Sequence, residues 1–155
     1  SNQKSDANNK EKNPFEIDSN ITTQILQPCH WSFTVEQSAK GEAILISTAK
    51  LDSGWHLYSQ HISDKVATKF AYDSLNNYEL VGDTEEGKPN KKYDPYLEMQ
   101  ILYFENEAIF KQKIKVLSKG DFAINGTIDY MVCLTQCVDS DEEFSFQVKG
   151  NPERK

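Results

Sequence analysis

The sequence predicts an all-β domain, an antiparallel β-sandwich of the immunoglobulin-like kind, and three observations carry that reading. Apolar and aromatic residues recur with period two along most of the chain, turn signals separate the runs, and no window of about 12 residues has helical periodicity. The runs amount to roughly eight or nine short strands at near-regular spacing, the pattern of two sheets packed face to face.

The elements follow in order. From Ser1 to Asn13 the residues are almost all Asn, Lys, Asp, Glu, Gln and Ser, with no aromatic before Phe15, so little there offsets the entropy of ordering. Residues 1–20 are therefore expected to be a flexible leader, 21–150 the folded domain and 151–155 a C-terminal tail. A leader of this composition suits a tether between a membrane anchor, such as an upstream lipid, and a folded domain. The chain opens on Ser rather than Met, which fits either a processed or a trimmed protein.

Beyond Ile21, Trp31, Phe33 and Val35 alternate with Ser32, Thr34 and Glu36, and Ile44, Ile46 and Thr48 are expected to form the next buried face. The pairs Phe70 and Tyr72, then Ile114 and Val116, continue the pattern, as do the triplets Ile128, Tyr130, Val132 and Phe144, Phe146, Val148. Turns are signalled at Ala39-Lys40-Gly41, Asp52-Ser53-Gly54 and Ser118-Lys119-Gly120-Asp121. From Gly82 to Tyr96 the sequence reads as one long polar connection, abruptly aromatic at Tyr93 and Tyr96. It is either a functional loop or a solvated crossover whose tyrosines cover the sandwich end. Asn125-Gly126 falls inside a single run from Phe122 to Cys133, so a bulge is expected at Gly126.

At 155 residues the chain is the size of one domain, and its apolar runs are far shorter than the about 20 residues of a membrane-spanning helix. A formal charge of −7, with acidic and basic residues interleaved, argues against a nucleic-acid partner. Three cysteines without paired C-x-x-C clusters do not make a zinc ribbon, and Cys29, His30, Cys133 and Cys137 lack zinc-ligand spacing, so neither metal nor cofactor is expected. Cys29 reads as a small buried hydrophobe, and His61 as a surface or rim residue.

The spacing of Cys133 and Cys137 is the most informative feature. In a straight strand they would lie about 13 Å apart, beyond the ~4.4–6.8 Å between α-carbons that a disulfide requires. A three-residue hairpin loop instead sets its flanking residues opposite one another at about 4.5–5.5 Å. Closing so small a ring contributes only about 2 kcal/mol. A structural clip and a redox-active pair both remain open, and a stable bridge implies an oxidising compartment.

Three segments together resemble one family: Gly54-Trp55-His56-Leu57-Tyr58-Ser59, then Tyr93-Asp94-Pro95-Tyr96 leading to Ile101-Leu102-Tyr103-Phe104, and Ile128-Asp129-Tyr130-Met131-Val132-Cys133 with Cys137. From about Trp31 to Val148 the chain resembles the amino-terminal periplasmic domain of the thiol:disulfide interchange protein DsbD, the disulfide bond corrector family. The resemblance implies an immunoglobulin-like domain of the periplasm or cell envelope, which the leader would allow to be tethered to a membrane. Such a domain takes electrons from a membrane-embedded donor and passes them by dithiol exchange to thioredoxin-fold partners. It further implies that Cys137 attacks the substrate disulfide and Cys133 resolves the mixed disulfide. Asp94, Pro95, Tyr96 and Leu97 would form a cap loop, with Tyr96 shielding the sulfurs, and His56 and Tyr58 would orient or hydrogen-bond them. Against the family's pattern, acidic residues follow the second cysteine at Asp139, Asp141 and Glu142, where like charge opposes thiolate formation. The competing expectation is a non-enzymatic envelope binding or adhesion module with an inert disulfide.

Overall fold

The computed structural model describes residues 27–38, 41–63, 65–95 and 97–154; the leader expected over residues 1–20 lies outside them. The described residues form β1 (Cys29–Gln37), β2 (Glu42–Leu51), β3 (His56–Tyr58), β4 (Lys69–Tyr72), β5 (Tyr78–Glu86), β6 (Asn90–Asp94), β7 (Met99–Glu105), β8 (Glu107–Val116), β9 (Phe122–Cys133) and β10 (Cys137–Val148). One sheet has four strands in the order β1-β2-β8-β5. The other has six, in the order β10-β9-β3-β7-β6 with β4 also paired to β9. Every pairing is antiparallel, and the architecture is the immunoglobulin-like sandwich that the alternation predicts.

The core lies between the sheets. From one side come Leu45, Ala49, Phe110, Ile114 and Val116, and from the other Leu57, Phe104, Ile124, Ile128, Val132, Phe146 and Val148. Aromatic rings fill the middle with edge and tilted contacts: Trp31 to Tyr130 at 5.4 Å, Phe33 to Phe146 at 5.6 Å and Phe70 to Phe110 at 5.1 Å.

Three expectations are corrected. In β2 the buried face is Ala43, Leu45, Ser47, Ala49 and Leu51, while Ile44, Ile46 and Thr48 are half-buried on the opposite face. Ile44 and Ile46 make the middle of its outward face as apolar as the inward one, so period alone does not give its phase, and pairing between β1 and β8 decides it. The segment from Gly82 to Tyr96 is not one loop, because β5 and β6 occupy most of it. Both are edge strands, and the polar side chains that hid them are what such edges carry.

Gly126 makes no bulge, since β9 pairs with β10 in unbroken register from Cys133 to Phe122. The register shift falls instead in β5, between Val81 and Glu85, next to Gly82 at φ 73°. What Gly126 provides is close approach: a Cβ there would collide with the Ala71 carbonyl of β4 and with the Phe144 ring. Gly126→Ala is accordingly expected to destabilise the fold by about 1–3 kcal/mol, seen as a lowered urea midpoint. An unchanged midpoint would mean that β4 does not press on this position.

Candidate functional site

The pleat that turns Ile128, Tyr130 and Val132 into the core turns Met131 and Cys133 to the outer face of the six-stranded sheet. There a second, smaller cluster forms from Cys133, Tyr58, Val66 and Ile101, with Tyr103 and Met131 packed against it. Cys133 ends β9, Cys137 begins β10, and the two are in register. Their α-carbons are 4.1 Å apart, the close spacing of a non-hydrogen-bonded antiparallel pair, and their sulfurs are joined in a disulfide. Across the intervening loop the Leu134 N–H donates to the Gln136 carbonyl at 3.0 Å. Cys133 is only 8% exposed, whereas Cys137 is an exposed residue, so the two cysteines differ in their exposure to solvent.

Cys133, Cys137, His56, Tyr58, Asp94, Pro95 and Leu97 all line one cleft of about 570 Å³, and Tyr96 lies outside the described residues. The elements that bring them together have local causes. Gly54, at φ 87°, lets the chain turn into β3 directly beneath the cysteine loop, where a side chain would meet Leu134 at 2.9 Å. The connection after β3 is pinned twice. Its Thr68 hydroxyl donates to the Tyr58 carbonyl at 2.6 Å, and the Ser59 hydroxyl and the Gln60 N–H donate to the Glu86 carboxylate, the latter at 2.9 Å. In the loop between β6 and β7 the Asp94 carboxylate accepts the Leu97 N–H at 3.1 Å, and Glu98 takes the left-handed φ of 52°.

Burial, then the nearby Asp94 carboxylate, raises the Tyr58 phenol above its usual range, so it stays protonated at neutral pH. His56 is directly opposite Cys133, and its Nε2 lies 3.4 Å from Glu105 Oε1. Its ring packs on Tyr103 at 4.4 Å, and the Lys92 ammonium sits 5.0 Å from the same Tyr103 ring. Burial first and Lys92 second lower the His56 pKa, against the opposing pull of Glu105. Lys92 and Glu105 were not singled out from the sequence, which carries no signal for them because they reach the site only through strand pairing.

Residues 22–149 match the family model described as thiol:disulfide interchange protein DsbD, N-terminal. No curated protein matches the chain in sequence. Among solved structures, the N-terminal periplasmic domain of ScsB from Proteus mirabilis aligns with TM-score 0.58 and 18% identity, over 83% of this chain and 48% of that one. The chain thus spans about half of that protein's length. The N-terminal domain of DsbD from Neisseria meningitidis, in its reduced form, aligns with TM-score 0.55 and 14% identity, over 87% of this chain and 95% of that one. At these identities the likeness speaks for the fold.

The third cysteine is remote in environment. Cys29 is a free thiol, 7% exposed, at the start of β1, and His30 beside it contacts Asp52 at 3.0 Å. Burial, with the Glu142 and Asp52 carboxylates adding to it, pushes the Cys29 thiol from 9.0 to about 12. At pH 8 its thiolate is depleted by about three orders of magnitude relative to an ordinary thiol. Iodoacetamide at pH 8 should leave Cys29 unmodified in the native oxidised protein and label it in guanidinium, as read by mass spectrometry. Rapid native labelling would show that its burial is not maintained.

Proposed function

The chain belongs to the DsbD N-terminal domain family, and from that premise we propose that it carries electrons in the periplasm through the Cys133–Cys137 pair, exchanging them with thioredoxin-fold partners. The observation that supports this most is the unequal exposure of two disulfide-bonded cysteines at the edge of one cleft. A thiol-disulfide exchange domain needs one sulfur that a partner can reach and one that waits behind it.

In the oxidised state a partner thiolate attacks Cys137 Sγ, the accessible atom. The disulfide breaks, and its electron pair leaves on Cys133 Sγ inside the cleft. Attack by the second partner thiol then releases a reduced Cys133–Cys137 pair and an oxidised partner. Run in reverse, the Cys137 thiolate attacks a substrate disulfide and Cys133 resolves the mixed disulfide. The sulfurs themselves carry the electrons, so the exchange requires no cofactor. A membrane-embedded protein is the proposed donor. Asp94, Pro95, Tyr96 and Leu97 are the proposed cap, whose displacement by a docking partner would open the cleft and keep stray thiols out until then. His56 and Tyr58 form its inner wall.

Cys133→Ser is expected to accumulate a mixed disulfide with a thioredoxin-fold partner, and Cys137→Ser to form none, on non-reducing gels. Unchanged exchange in Cys137→Ser would overturn the assignment. Titration against glutathione buffers should place the pair's potential between roughly −180 and −270 mV. A value below about −300 mV would mark the bridge as structural and the domain as a binding module.

A further inference from the structure

Strand register aligns four side chains in a single row across the outer face of the six-stranded sheet. Cys137 is opposite Cys133, Cys133 is opposite His56, and His56 is opposite Glu105, on β10, β9, β3 and β7 in turn. Residues directly opposite on one face hold their Cβ atoms about 4.5–5.5 Å apart, within reach of each other's functional groups. The row therefore reads sulfur, sulfur, imidazole, carboxylate, the order of an activated thiol with its base and the group that orients the base.

We infer that His56 is the base that takes the proton from Cys133 when Cys133 resolves a mixed disulfide, with Glu105 the positioning residue that holds the imidazole. The inference deepens the exchange reading above and rests on it. With Cys137 Sγ bonded to the partner sulfur, the Cys133 Sγ–H proton passes to His56. The electron pair left on Cys133 Sγ forms the Cys133–Cys137 bond. The bond from Cys137 to the partner breaks, and its electron pair departs on the partner sulfur as thiolate. Two electrons have then reached the partner, and the proton on His56 is released to solvent. In the opposite direction the imidazolium returns a proton to the Cys133 thiolate as it leaves.

The surroundings suit a base. Glu105 on β7 lies 3.4 Å from Nε2 and steadies the imidazolium that forms, and a proton kept on Nε2 leaves the lone pair on Nδ1. Tyr103 on β7 fixes the ring plane. Partial burial, then Lys92 on β6, outweigh Glu105 and keep the resting ring neutral, with its pKa below the usual histidine value of 6.5. Tyr58, the next outward side chain on β3, is an uncharged phenol, and Asp94 acts on that phenol. A neutral imidazole is the acceptor form, so resolution should run at its plateau near neutral pH and slow as pH falls through the His56 pKa.

The test uses the reduced protein and 5,5′-dithiobis(2-nitrobenzoate) in stopped flow. The first thionitrobenzoate released reports attack by Cys137, and the second reports resolution by Cys133. His56→Gln is expected to slow the second release by about a hundredfold or more at neutral pH and to abolish its acid-side inflection, with the first release keeping its rate. Glu105→Gln should move that inflection to lower pH, because the carboxylate favours the protonated ring. A second release with unchanged rate and pH profile in His56→Gln would overturn the inference and leave the exchange reading standing. A wild-type protein that releases only one thionitrobenzoate from the pair would overturn both.

Discussion

The pleat of β9 is the constraint on which both the core and the site depend. Its inward residues Ile124, Ile128 and Val132 are fully buried, while Met131 and Cys133 leave on the other face. Moving the strand by one residue would exchange those sets, sending a thiol into the aromatic core and a valine to the cleft. The register is held by features far from the sulfurs. Phe144 and Phe146 face inward from β10, and Gly126 lets the Ala71 carbonyl of β4 approach into space that a side chain would fill. Hydrophobic packing at one end of the hairpin thus fixes the face on which the cysteines lie at the other, and Cys133 is the sheltered one because β9 has β3 beside it while β10 is at the sheet edge.

The floor of the cleft depends in part on a polar device. Gln112 of β8 is 1% exposed, and its amide nitrogen donates to the Gly82 carbonyl at 3.1 Å, while the Thr84 hydroxyl donates to its oxygen at 2.8 Å. Tyr72 of β4 joins at 3.0 Å from Thr84. A buried amide with its bonds satisfied fixes geometry, because any displacement leaves it unpaired at a cost of about 1–3 kcal/mol. Here it fixes the irregular register of β5, and that strand's end supplies Glu86 to Ser59 and Gln60. The bulged edge strand therefore positions the connection after β3 that carries Val66 under the cleft.

How much of this was legible depended on whether a feature is local. The hairpin at Cys133 and Cys137 could be read because a three-residue gap between alternating runs has few solutions, and the inward faces of β9 and β10 could be read because their other faces are polar. β2 misled because Ile44 and Ile46 are as apolar as Ala43 and Leu45. β5 and β6 were hidden because edge strands with solvent on one face need little apolar patterning. Glu105 and Lys92 were invisible for a different reason: nothing in the order of residues says that β7 lies beside β3, or β6 beside β7. Cross-strand neighbours are a property of the sheet, and the charge around His56 is set by such neighbours.

The same separation between core and site bears on what the disulfide is for. A five-residue ring adds only about 2 kcal/mol by the loop-entropy argument, and the hairpin it closes is already registered along two 12-residue strands. Beneath the bridge, Tyr58, Val66, Ile101 and Met131 pack against one another as well as against Cys133, so the floor of the cleft does not consist of the S–S bond. Opening that bond leaves the core, the register and the cleft floor with their own supports. A bridge on which the fold depends so little is poorly suited to act as a staple and well suited to be made and broken repeatedly, with Cys137 reachable from solvent and Cys133 held beside an imidazole.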